Sequence, residues 1–374
     1  MQPTAEREPR VTASDPAPER TMDLGRSDAP PGRAGRGSQW TRLYRGGRPE
    51  ADADGPAQAC RVLEGDADLM AWTALASPDR AQLDELAEAL DLPDLAREDA
   101  VVAHQRPKVE VHGDVLLLVL RPARYDEARE EVEVGEVHVF VRDRVVATVH
   151  HPGPEGAVDL DRIRERVERQ EGLLEHGPLA VLHAVLDGVV DGYAPVVSAL
   201  QADIDEVESQ VFGGDPGASR RTYRLARQVI MLQRAVDPLD GVLRALMAPL
   251  EGAGAPGRPL RAQVADAELL YSFLRDVADH ATTVREHVDG FRQLLQNIMA
   301  VNSALIDQAQ NEAMKKVSSW GGILVVPTLI ASVYGMNMDP RPGFEWLFSW
   351  PAALALMVLS SLALYTAFRR RGWL

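Results

Sequence analysis

Two long stretches near the C-terminus contain no charged side chain, and no other feature limits the fold of this chain as strongly. Val317 to Met338 is 22 residues between Lys316 and Asp339, and Trp346 to Phe368 is 23 residues between Glu345 and Arg369. As helices rising about 1.5 Å per residue, each reaches roughly 33 Å, enough to cross a bilayer core of about 30 Å. The second stretch, WLFSWPAALALMVLSSLALYTAF, is apolar almost throughout. The first is diluted by Ser318, Ser319, Gly321, Gly322, Pro327, Thr328 and Asn337. Small and polar residues in a spanning helix face other helices or a watery path, not lipid. The alternative for the first stretch is a packed hairpin partner of the second. A mean hydropathy of −0.18 resembles that of a soluble protein only because the average hides both stretches.

Charge orients them. The 374 residues carry a net charge of −16, but residues 1–50 hold +2 and residues 315–374 hold +4, which leaves −22 on 51–314. An acidic body of this kind excludes a general nucleic-acid binder, which needs a basic face for phosphates. Lys315 and Lys316 precede the first span and Arg369 to Arg371 follow the second. Both flanks are expected on the cytoplasmic side, with the 339–345 loop outside and the acidic body inside. The first 60 residues contain no signal-peptide core, so the expectation is a multi-pass plasma (inner) membrane protein with both termini cytoplasmic. The single cysteine, Cys60, excludes an intramolecular disulfide and a cysteine-only metal cluster.

Along the chain, seven Pro and six Gly within residues 1–50 predict a disordered extension over 1–55. Residues 56–157 read as a cytoplasmic α/β domain with an antiparallel sheet. Ser77-Pro78 is the expected start of one helix, 108–111 pairs with 114–120, and 131–141 pairs with 144–150. Residues 158–258 read as a cytoplasmic helical hairpin region, broken at 175–178, at GGDPG (213–217) and at EGAGAPGRP (251–259). Residues 259–338 form one long stalk helix that continues into the first span. The loop 339–345, the second span 346–368 and a basic cytoplasmic tail 369–374 complete the chain. Val284, Val288, Phe291, Leu295, Ile298, Asn302, Leu305 and Ala309 make a heptad seam that calls for partner helices, with Asn302 able to set register and oligomer state. Packing on the chain's own helices is the alternative. A second stripe, Asn311, Met314, Ser318, Gly321, Val325, Thr328, Ser332 and Gly335, is small or polar almost throughout and suits a close-packed interface or a narrow wet pore.

The first span ends in Tyr334-Gly335-Met336-Asn337, at the outer end of the first of two C-terminal spans. With NEAMKK (311–316), TLIASVYGMN (328–337), RRRGWL (369–374), REDAVVAHQRPKVE (97–110), LRPARYDE (120–127) and FLRDVADH (273–280), the sequence resembles the CorA family of magnesium channels over roughly 60–374. The resemblance implies a symmetric, funnel-shaped homopentamer embedded in lipid. It also implies a selectivity filter at Gly335, Met336 and Asn337, and a pore wall of Asn311, Met314, Val317, Val325 and Thr328. Mg²⁺ gives up water reluctantly, so a ring of Asn337 carboxamides suits its hydrated form; the alternative for Asn337 is a helix C-cap. Met314 and Val317 would form an apolar constriction. A regulatory metal site would pair Asp99 with Asp276, which otherwise are surface carboxylates, and Glu345 would be the acidic residue of the outer loop. The resemblance also implies Mg²⁺ as both cargo and regulator, no organic cofactor, and Co²⁺ or Ni²⁺ as secondary cargo. Asp203, Asp205, Glu206 and Glu208 read as a solvated acidic helix face. No HExxH, phosphate loop or nucleophile elbow is present, His150 and His151 should point apart on a strand end, and His183 and Asp187 belong on a packing face. An enzyme is therefore not expected. The rivals are a Zn²⁺ transporter of the same superfamily and a membrane-anchored scaffold.

Overall fold

The computed structural model describes residues 39–101, 105–154, 156–170, 172–250, 267–335 and 350–374. The chain divides into Met1–Arg36, outside those residues, and Gly37–Leu374, which contains them. Nine strands run β1 (Gln39–Arg45), β2 (Arg48–Ala53), β3 (Leu69–Ala76), β4 (Lys108–His112), β5 (Val115–Leu120), β6 (Ala123–Asp126), β7 (Glu131–Val134), β8 (Val137–Arg142) and β9 (Val145–His150) among the described residues. Seven form one sheet in the order β2-β1-β3-β9-β8-β5-β4, while β6 and β7 pair separately.

Side-chain alternation explains how this sheet is covered. On β3, Leu69, Ala71 and Leu75 face one apolar cluster, whereas Met70, Trp72 and Ala74 face another. The first cluster is closed by α1 (Pro56–Gly65), α2 (Arg80–Ala89) and α3 (Asp94–Val101). The second is closed by α4 (Leu160–Arg169) and α5 (Pro178–Asp191), and continues without a break into the helical region.

Three expectations are corrected here. Residues 39–53 form a hairpin paired to β3, so the extension expected over 1–55 ends before them. Its turn is Gly46-Gly47, with φ of 53° and 77°, and a Cβ on Gly47 would come 2.7 Å from the Glu175 backbone nitrogen. Glycine is required there by both conformation and space. The sheet is mixed, not antiparallel, because β3 and β9 run parallel. Asp79, not Ser77, caps α2, accepting from Gln82 N while the Gln82 side chain accepts from Asp79 N.

The helical region comprises α6 (Tyr193–Phe212), α7 (Ala218–Val236), α8 (Leu239–Met247) and the 68-residue α9 (Ala267–Tyr334), about 102 Å long. The last helix is α10 (Trp350–Arg370), packed against the upper part of α9. The predicted start of the stalk, 259–266, lies outside the described residues. Val284, Val288, Phe291, Leu295 and Ile298 are all buried against the chain's own helices, and Asn302 Nδ2 donates to Ser219 Oγ of α7 at 2.5 Å. This part of the seam is intramolecular, a correction to the expected intersubunit role of Asn302. Leu305, by contrast, stays 38% exposed.

By length and composition, Pro178–Phe212, Glu268–Tyr334 and Trp350–Arg370 could each cross a membrane. Half of the first one's apolar window is buried within the chain, against 11% and 6% for the other two. The α/β core accounts for the apolar character of α5, which buries ten of its 14 residues. Among the described residues, no core accounts for the apolar windows of the other two.

Candidate ion path and acidic clusters

The upper part of α9 has two unlike faces. Ser319 and Ile323 are buried, Gly322, Val326, Pro327, Ile330 and Tyr334 are partly so, and these residues recur at helical spacing on the side that meets α10. Ile323 and Pro327 share an apolar cleft with Met357, Leu362 and Tyr365, and Gly322 lies against the Phe368 ring. At about 100° per residue, the stripe running from Met314 through Ser318, Gly321, Val325, Thr328 and Ser332 to Gly335 falls roughly opposite this side. All seven of those residues are exposed, as is Asn311. Met314, Val317 and Val325 are 65%, 68% and 63% exposed, with Val317 at the stripe's edge. The Thr328 and Ser319 hydroxyls donate back to the Leu324 and Lys315 carbonyls, a common way to satisfy hydroxyls in an apolar environment. Gly335 is the last described residue of this segment, and its N–H donates to Ala331 O at 2.9 Å. Met336, Asn337 and Glu345 lie outside the described residues.

Asp99 and Asp276 sit in different surroundings. Asp99, on α3, accepts from Lys108 Nζ at 2.8 Å and from Gln105 Nε2 at 3.0 Å. Lys108 also donates to Glu110 at 2.8 Å, and Glu110 is 3.2 Å from His112 Nε2. Partial burial pulls the Lys108 ammonium down, but the two carboxylates outweigh it and hold it above its ordinary value. Asp99, Glu110 and His112 could converge on a cation only by displacing that ammonium. Asp276, exposed on α9, acts instead on His183 and Asp187 of α5. His183 stacks on Phe273 at 5.0 Å, and burial holds it below its usual value against the pull of Asp276. Asp187 is pushed up by burial and then by Asp191, with Arg166 opposing. Arg166 Nη1 reaches Asp187 at 3.4 Å and Asp191 at 3.3 Å. Within one chain, therefore, the described residues do not bring Asp99 and Asp276 together.

Two clusters escaped the sequence reading. Asp187, Asp191 and His280 bring ligand-type atoms within 4.8 Å of one another; the one-turn spacing of the two aspartates on α5 was the available signal. Glu136, His138 and His151 are buried together, with His138 Nε2 2.7 Å from Glu136 Oε1 and His151 Nε2 3.3 Å from His138 Nδ1. Glu136 Oε2 also accepts from Arg121 and from Gln105 N. The i, i+2 spacing of Glu136 and His138 put both on one strand face. The acidic face of α6 is only partly a solvated one: Arg221 of α7 bridges Asp203, Glu206 and Glu130, and Tyr125 donates to Asp203.

A family model described as "CorA-like Mg2+ transporter protein" matches residues 68–370. The "Cobalt/magnesium transport protein CorA" of Thermotoga maritima is 27% identical over 283 residues, 75% of this chain and 76% of its own length. The "Putative metal ion transporter YfjQ" of Bacillus subtilis is 24% identical over 304 residues, 81% of this chain and 89% of its own. Among solved structures, the CorA magnesium transporter of Methanocaldococcus jannaschii superimposes with a TM-score of 0.69 over 89% of this chain and 98% of that one. At 17% identity, that match shows a shared fold.

Proposed function

This chain belongs to the family of CorA-like Mg2+ transporter proteins, and from that premise we propose that it is a homopentameric channel admitting hydrated Mg²⁺ across the plasma (inner) membrane. Membership states the coarser part: a divalent-cation transporter with apolar C-terminal helices. The finer part rests on one observation, the seven-residue stripe from Met314 to Gly335 that faces away from α10 and, with Asn311 below it, is exposed in the single chain. Small and polar groups are costly against lipid, and five stripes around one axis would give each of them either water or a like neighbour.

In this reading Asn337, Gly335 and Met336 form the outer filter. Carboxamide oxygens contact the ion's water shell without stripping it. Asn311 and Thr328 offer further polar contacts, Val325 narrows the path, and Met314 with Val317 forms an apolar gate. Glu345 attracts cations at the outer mouth. With both termini cytoplasmic, an inside-negative potential supplies about 4.6 kcal/mol per 100 mV for a divalent ion, so inward flow needs no pump. Asp276, with Asp187 and Asp191 beside it, forms the regulatory metal site together with Asp99 of a neighbouring copy. Bound Mg²⁺ offsets repulsion between acidic bodies and holds the ring shut, and Mg²⁺ depletion releases it. Co²⁺ and Ni²⁺ are secondary cargo.

Uptake into proteoliposomes under an inside-negative potential tests this reading. The parent should take up Mg²⁺ in preference to Zn²⁺, and Asn337→Ala should lose most Mg²⁺ flux or its preference. Equal flux and equal preference in mutant and parent would sink the filter assignment.

A further inference from the structure

A cleft of about 600 Å³ opens where the loop before β4, the end of β5 and the C-terminal half of α7 meet. Its size lies within the roughly 300–1,000 Å³ of small-molecule sites. Three guanidinium-bearing residues from three separate segments line it: Arg106, Arg121 and Arg234. Acidic residues outnumber basic ones 56 to 40 in this chain, so arginines readily find carboxylates. Arg121 is held by Glu136 Oε2 at 3.1 Å and by the Gln105 carbonyl at 3.0 Å, which fixes its plane. Arg106 and Arg234 make no ion pair among the described residues. Asp237 is the acid of the wall, and it leaves the lining net positive. Val134, Met231 and Pro238 supply an apolar side.

We propose that this cleft binds an organic phosphate carrying at least two phosphoryl groups, with Arg106 and Arg234 contacting the phosphates beside the fixed Arg121. Guanidinium forks match phosphate oxygens in geometry as well as charge. The apolar side favours an organic ester over a bare polyphosphate. The site lies in the soluble part of the chain and does not depend on how the ion path is assigned.

Titration calorimetry on the full-length protein in detergent, in buffer stripped of metal by resin, tests the proposal with ADP, pyrophosphate and citrate as probes. ADP should bind the parent more tightly than pyrophosphate does. Arg106→Gln and Arg234→Gln should each weaken ADP binding about tenfold or more, as loss of a charged hydrogen bond does, with melting temperatures unchanged. Absence of ADP binding at millimolar concentration, parent-like binding by either variant, or citrate binding equal to that of ADP would each overturn it.

Discussion

Asp187 shows at the scale of one residue how the acidic body is tuned. Its carboxyl is raised first by burial and then by the charge of Asp191, so ionisation is more costly in the folded chain than in the unfolded one. A carboxyl raised on folding penalises the fold at pH values where both forms are ionised. The penalty disappears as pH falls below the unfolded value, about 4. Asp187→Asn, which keeps an acceptor for Arg166, should therefore raise the melting temperature of the metal-free protein at pH 7 and give no gain near or below that value. A melting series across pH checks this; a gain that persists at low pH, or a loss at pH 7, would contradict it. Adding millimolar Mg²⁺ should narrow the neutral-pH difference if the cation occupies this cluster in the parent. His138 and Glu136 teach the complementary lesson about legibility. Their alternation on one strand face was readable, and His151 joins them by continuing the β8–β9 register one pair beyond Val137 and His150, its N–H donating to Glu136 O at 3.0 Å; what stayed illegible is that this end of the hairpin is buried.

At the scale of elements, the stalk seam divides into two parts. Leu295 is 1% exposed and packs on the chain's own helices, whereas Leu305 is 38% exposed on the same helix. Leu295→Ala should cost about 2–5 kcal/mol of protomer stability, the usual range for a buried leucine. Leu305→Ala should leave the protomer's melting temperature within about 2 °C, a surface-like effect, yet reduce the fraction of oligomer recovered by chemical cross-linking. Similar melting losses in both variants would contradict the division. Heptad spacing revealed the helix and its seam but not which helices fill it, because α6, α7 and α8 supply the same apolar ridges that another copy would. The hairpin 39–53 was missed because a proline- and glycine-rich window averaged over a short alternating strand. The parallel pairing of β3 with β9 joins residues over 70 positions apart, beyond any local signal. The exposed stripe of α9, proposed as part of the ion path, in contrast follows from spacing alone: a 3-4 pattern fixes one face of a helix whatever else surrounds it.

At the scale of the whole chain, the decisive quantity is the contrast between −22 on residues 51–314 and +4 on residues 315–374. Basic residues resist translocation far more than acidic ones, so the proposed topology keeps Lys315, Lys316 and Arg369 to Arg371 on one side. The loop 339–345 holds one arginine against one aspartate and one glutamate, and nothing in it opposes export. In the proposed topology the acidic body lies on the same side as the C-terminal tail and faces the divalent cations of the cytosol. This orientation can be read with a single thiol. In a Cys60→Ser background, Pro342→Cys should react with a membrane-impermeant maleimide added to intact cells. Leu374→Cys should react only after the membrane is opened. Labelling of Leu374→Cys in intact cells, or protection of Pro342→Cys until lysis, would invert the topology and turn the acidic body away from the ions that are proposed to close it.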